Sequence, residues 1–343
     1  MNLPAVSPVD HVGAEVLRAQ LDAKAKPLGA LGRVEELATR LGLIAGGPPP
    51  SFDRALLLVF AGDHGMNAEG VSAYPSAVTQ AMVATFLAGK ASANAFARAV
   101  GAELRVVDAG VDAELAPHPV LVDAKVRRGS RNAAVEPALT LAEAEQALAR
   151  GADIARQAIE EGFEILALGE MGIGNTASAA LLTHRLAPAP LADCVGRGAG
   201  HDDAGLARKT AILERAAARS GATEPLKVLA EFGGLEIAMM AGAIIGAASA
   251  KVPILVDGFI VSAAALVAIR LVPEVKDYCV FCHRSVEQGH SRLLAALELD
   301  PLLALDLRLG EGTGALLALP LVRAASRLLS DVASLDDVLN GRL

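Results

Sequence analysis

Tryptophan is absent from the 343 residues, and aromatic side chains make up 3% of them, so a core of this size must be built mainly from Ala, Leu and Val. Hydrophobic residues reach 53%, enough for one large domain with a small accessory part. Block charge is missing too. The net charge is -8 with no Lys/Arg cluster, which argues against a nucleic-acid surface and means that any anionic ligand needs local donors. Three cysteines are too few for a disulfide framework and fit a reducing compartment. The start, Met1-Asn2-Leu3-Pro4, lacks the basic head and apolar core of a signal peptide, so a cytoplasmic location is expected.

Long uninterrupted apolar runs are lacking as well. The most apolar stretch, 237–269, carries the close-packing spacing Gly242-Ala243-Ile244-Ile245-Gly246 but is broken by Lys251, Pro253 and Asp257. Its pieces fall short of the roughly twenty residues a membrane span needs. A buried helix is expected there, with a subunit interface as one possible use. Cys279-Val280-Phe281-Cys282-His283 matches a haem-attachment pattern, but its apolar character reads as a buried strand.

Strand-like runs at 55–61, 103–107, 163–168, 252–256 and 278–282 alternate with helical patterns, which predicts a parallel α/β sheet flanked by helices. Thr140 with Glu143 forms a capping box, a helix follows Gly200 with Asp202 and Asp203 in its first turn, and Ser76 is expected to cap a long helix. Residues 10–45 and the last thirty read as helical without a strand, so both ends are expected to join in a small helical unit. Gly46-Gly47-Pro48-Pro49-Pro50 is the clearest linker.

Ligands collect where parallel strands end, so residues just after each strand carry most weight. Leu309-Gly310-Glu311-Gly312-Thr313-Gly314 sets one carboxylate between glycines in a largely apolar run, a setting that raises a carboxyl pKa toward general-base use. A helix-initiating turn is the plainer account. Gly169-Glu170-Met171-Gly172-Ile173-Gly174-Asn175-Thr176-Ala177 offers backbone N–H groups to a phosphate at a helix N-terminus, and its G-x-G-x-x-A spacing also suits a dinucleotide. Gly196-Arg197-Gly198-Ala199-Gly200 gives a second glycine-rich approach, with Lys209 able to neutralise a phosphate or, plainly, to sit solvated on a helix. Asp63 and His64 suit a metal or an acid/base pair but are too few for a metal site, and Ser285 between His283 and His290 could supply polar contacts or cap a helix.

These segments, together with Lys26 to Arg33, Tyr74-Pro75-Ser76 and Phe232-Gly233-Gly234, occur in an order that resembles the nicotinate-nucleotide–dimethylbenzimidazole phosphoribosyltransferase family over nearly the whole chain. The resemblance implies a Rossmann-like α/β catalytic domain at 51–314, and a small helical domain formed by 1–50 and 315–343. It further implies a homodimer, no metal and no cofactor. It implies transfer of phosphoribose from nicotinate mononucleotide to 5,6-dimethylbenzimidazole, with Glu311 as the base. Glu170, Gly172, Ile173, Gly174, Asn175, Gly198, Lys209, Ser285, Gly312 and Thr313 would hold the nucleotide, and Tyr74 and Ser76 the aromatic base. Residues 232–240 would supply apolar walls. The alternatives are an NAD-dependent oxidoreductase using Gly172 to Ala177, a diphosphate-dependent phosphoribosyltransferase, which would need paired acids where Val256-Asp257-Gly258 supplies one, and a noncatalytic scaffold.

Overall fold

The first strand-like run of the chain becomes the sheet's central strand β1, Ala55–Gly62, buried along its whole length. The computed structural model describes residues 3–198 and 200–343. Met1, Asn2 and Ala199, the last inside the second glycine-rich motif, lie outside the described residues.

Five further strands join β1: β2 Glu103–Gly110, β3 Leu121–Asp123, β4 Ile165–Met171, β5 Ile254–Val256 and β6 Cys279–Phe281. All pairings are parallel and the order is β3-β2-β1-β4-β5-β6. The chain therefore reverses its direction of growth between β1 and β4, the crevice where such sheets bind ligands. β3 is absent from the sequence reading because three half-exposed edge residues carry no period. The haem-like cysteines fall on and beside β6, buried and with free thiols.

Fourteen α-helices occur among the described residues. The N-terminal pair, α1 Ala14–Asp22 and α2 Arg33–Ala45, is followed by α3 Ala77–Leu87, α4 Ser92–Val100, α5 Leu141–Glu160 and α6 Asn175–Leu186. Next come α7 Leu191–Cys194, α8 Asp203–Arg219, α9 Pro225–Phe232, α10 Leu235–Ser249 and α11 Phe259–Leu271. α12 Gln288–Ala296, α13 Thr313–Ser330 and α14 Leu335–Leu339 complete the chain. None is long and apolar enough to cross a membrane.

Alternate residues of β1 feed two cores, as a pleated strand requires. Leu56, Leu58 and Phe60 meet α5, α6, α10 and α11, while Leu57, Val59 and Ala61 meet α2 and α13 through Leu37, Leu41, Leu316 and Leu319. The chain ends touch directly. Lys24 pairs with Ser334, and its ammonium donates to the carbonyls of Leu329 at 2.7 Å and Val332 at 2.8 Å.

The Gly242 and Gly246 spacing serves packing inside the chain rather than a subunit interface. Fourteen of the fifteen residues of α10 are buried. A β-carbon on Gly242 would collide with the Leu148 carbonyl of α5, and one on Gly246 would lie close to that of Ala152. Thr140 and Glu143 form the expected capping box, and Asp202 caps α8 by accepting from Gly205 N at 2.7 Å rather than sitting in its first turn. Ser76 does not cap α3. Its own backbone is already helical (φ -57°, ψ -28°), which turns the hydroxyl away from the helix N–H groups, and it accepts from Asn67 Nδ2 at 3.0 Å instead.

Candidate functional site

β4 delivers Glu170 and then turns through Gly172, Ile173 and Gly174 into α6. Gly174 sits at φ 97°, a region open to glycine, and lies against His64 and Asn67. The loop and helix border a cavity of about 140 Å³. Glu170, Gly172, Ile173, Gly174, Asn175, Gly198 and Ser285 line it together, as do Thr176, Asp257, His283, Glu287 and Gly310.

Not every N–H of the loop faces a ligand. Ile173 N donates to Thr79 Oγ1 at 3.1 Å, and Asn175 N and Ala177 N close turns onto Gly172 O and Gly174 O. Positive charge comes from behind the wall. Lys209 on α8 is fully buried, contrary to a solvated helix position, and donates to Thr176 Oγ1 at 2.9 Å and Gly196 O at 3.0 Å. Burial pushes its pKa down to about 8. Gly198, at φ 54°, leaves room for both, since a β-carbon there would lie 3.3 Å from the ammonium.

Two buried acids meet at the end of β4, Glu170 on the strand and Glu311 in the turn packed against it. Burial pushes the Glu170 carboxyl up to about 8 against the hydrogen bond from Asn175, with Asp257, Glu236 and Glu311 adding negative charge nearby. Glu311 is 3% exposed and its pKa is raised, by burial first and by Asp257, against the Ala93 N–H that its Oε2 accepts at 3.1 Å. Its carboxylate points toward the start of α4, outside the lining of the cavity that holds Glu170. Gly312 and Thr313 form the turn into α13, and Gly310 lies directly against Glu170 Oε1.

Ser285 is not a helix cap. It precedes α12 by three residues, and its N–H donates to His290 Nδ1 at 3.0 Å. Burial drives the His290 pKa down to about 3, so the neutral ring donates from Nε2 to Ser262 Oγ at 3.0 Å and fixes Ser285 from behind. Tyr74 and Ser76 are not brought into the first cavity. Tyr74 is 48% exposed, and Ser76 lines a neighbouring cavity of about 400 Å³ with Asp63, His64 and Pro75. Residues 232–240 do not wall either cavity, because Phe232, Met239 and Met240 are buried in the core.

Glu236, Asp257 and Glu287 join the candidate site although the sequence, which presents them only within longer segments, assigned none of them a role of its own there. Glu236 Oε1 meets His64 Nε2 at 2.6 Å, and His64 Nδ1 meets Ser178 Oγ at 3.1 Å, all beneath the Gly172 loop. Asp257 binds the turn that carries Glu311. Glu287 turns a buried carboxylate toward Gly196 and Lys209. A lone acid in an apolar run, the signal that picked out Glu311, also marks Glu236. No group of three or more His, Cys, Asp or Glu side chains suited to a metal occurs among the described residues.

A buried proton acceptor, a second acid that stays protonated near neutrality, and a helix start backed by lysine suit displacement on a phosphorylated sugar. The glycine-rich loop follows β4, whereas the dinucleotide fingerprint follows the first strand of this sheet order, where the chain has Gly62-Asp63-His64-Gly65. Residues 6–338 match the family model described as DBI_PRT, phosphoribosyltransferase. The nicotinate-nucleotide–dimethylbenzimidazole phosphoribosyltransferase of Cupriavidus necator is 53% identical over 97% of both chains. That of Ralstonia nicotianae is 55% identical over 96% of this chain and 94% of its own. The crystal structure of CobT from Thermus thermophilus superposes with a TM-score of 0.91 at 46% identity, covering 95% of this chain and 98% of that one.

Proposed function

The chain belongs to the nicotinate-nucleotide–dimethylbenzimidazole phosphoribosyltransferase family, and on that premise we propose that it transfers phosphoribose from nicotinate mononucleotide to 5,6-dimethylbenzimidazole. The products are nicotinate and α-ribazole 5'-phosphate, used in cobalamin nucleotide-loop biosynthesis. The observation that carries the reading is full-length similarity combined with two buried acids of raised pKa, Glu170 near the end of β4 and Glu311 in the turn packed against that strand.

One benzimidazole nitrogen attacks C1′, and the other ring nitrogen gives its proton to Glu311. Nicotinate leaves with the electrons of its bond to C1′, whose configuration inverts. Its ring nitrogen, positive in the nucleotide, becomes neutral, so the leaving group needs no proton. Glu170 still carries its proton at neutral pH and donates it in a hydrogen bond to the ribose. Gly172, Ile173, Gly174, Asn175 and Gly198 surround the nucleotide with Ser285, and Lys209 supplies charge through the Thr176 wall. Gly312 and Thr313 set the turn of Glu311, and Tyr74 and Ser76 on the loop before α3 serve the aromatic base. Holding the two rings on opposite faces of the ribose supplies much of the rate.

The contact of Lys24 with the 329–334 segment supports reading residues 1–50 and 315–343 as a small helical unit beside the catalytic part, although α13 starts at Thr313 and shares the sheet's core. The enzyme is read as a cytoplasmic homodimer, a location with which its free thiols agree. Incubating the purified protein with both substrates tests the reading. Nicotinate and the new nucleotide should form in equal amounts, and no product from folded protein rejects this substrate pair.

A further inference from the structure

Gly310, Glu311 and Gly312 have φ values of 86°, 61° and 80°, three consecutive left-handed residues of which one is not glycine. Such a backbone persists only where its surroundings hold it. The helix that follows has no cap of its own, because its N-cap residue is Gly312. Asp257, just beyond β5 and 1% exposed, fills that role from 55 residues away: Oδ2 accepts Gly312 N at 3.1 Å and Oδ1 accepts Ala315 N at 3.0 Å. His283 Nε2 stands 3.4 Å from Oδ1 and completes the clamp. A β-carbon on Gly314 would fall 2.7 Å from the same oxygen, so the approach depends on that glycine. One carboxylate thus binds the residue after Glu311 and the first turn of α13, while Ala93 N holds the Glu311 side chain.

We propose that Asp257 is the positioning residue of this transferase, fixing the left-handed turn so that the Glu311 carboxylate is held where it takes the proton of the incoming base. The proposal rests on the general-base assignment of Glu311. Asp257 also borders the nucleotide cavity, so its action through Glu311 must be separated from a direct contact with the nucleotide.

The test is a double-mutant cycle on the full-length enzyme with Asp257→Asn, Glu311→Gln and the pair. Turnover and the KM for nicotinate mononucleotide are measured at saturating 5,6-dimethylbenzimidazole, with folding followed by circular dichroism. Asn keeps the volume but can accept only one of the two N–H groups. Asp257→Asn should lower kcat about 10- to 100-fold, as misplacement of a reacting group does, with KM changed by less than about twofold. The loss should vanish when Glu311 is already Gln, the non-additivity expected of residues acting as a unit. An equal loss in both backgrounds, or a rise in KM at unchanged kcat, overturns the proposal. Parent-like turnover of Glu311→Gln overturns the base assignment itself and this proposal with it. If Asp257→Asn does not fold, Ala315→Pro removes one of the two donors within the first helical turn, where proline is tolerated, and is judged by the same criteria.

Discussion

Gly169, inside β4, lies so close to Glu311 that a β-carbon built on it would fall 2.5 Å from the Glu311 carbonyl carbon. The sheet therefore presses directly on the backbone of the proposed base. Gly169→Ala should push the 310–312 turn outward and lower turnover at least about tenfold, since small displacements of reacting groups are costly. Overpacking should cost about 1–3 kcal/mol of stability. Steady-state kinetics beside a denaturant titration checks both, and an alanine variant with parental kcat would show that the turn yields without harm.

Burial of Glu170 makes stability depend on pH. Its carboxyl titrates at about 8 when folded, against roughly 4.3 in an unfolded chain, so over that window the folded state binds the extra proton. The stabilising contribution is complete below the unfolded value and is lost as pH rises through about 8. Thermal midpoints of the parent should fall relative to Glu170→Gln between about pH 5 and pH 8. Parallel curves would show that Glu170 is ionised throughout.

Lys209 predicts a pH dependence in binding. Its ammonium is charged below about 8 and neutral above, so affinity for the nucleotide phosphate should weaken as pH rises through that value. Lys209→Met should raise the KM for nicotinate mononucleotide about 5-fold or more at pH 7, the worth of a nearby charge acting through the Thr176 wall rather than of a direct hydrogen bond, and should abolish the pH dependence. A KM equal to the parent's at pH 7 would remove Lys209 from phosphate binding.

The sheet was legible in the sequence where strands are long and buried on both faces, as in β1, and illegible at β3, whose three residues have one neighbour strand and no period. Glu311 stood out because glycines and apolar residues isolate it. Its holder did not. Asp257 reads as one acid after a strand, and its partners at Gly312 and Ala315 become neighbours only when β5 and α13 meet. Ser76 misled for a local reason: the residue type suits a cap, but capping needs an extended backbone, and here the helical turn already begins at Pro75, whose carbonyl accepts from Val78 N at 3.0 Å.

Glu236 is the sharpest case of long-range dependence, since its partner His64 lies 172 residues away and neither side chain exceeds 2% exposure. Burial opposes a charge on His64, but Glu236 and Asp63 carry its pKa above the ordinary value, which favours a charged ring against Glu236 beneath the Gly172 loop. Removing one charge from such a pair leaves the other uncompensated, so Glu236→Gln should destabilise the protein by about 3–5 kcal/mol. Because Glu236 Oε1 would lie 3.3 Å from a β-carbon on Gly172, the disturbance should reach the nucleotide loop and raise the KM for nicotinate mononucleotide as well. A denaturant titration at pH 7 decides the first point. A loss below about 1 kcal/mol would mean that His64 is neutral and the contact is an ordinary hydrogen bond.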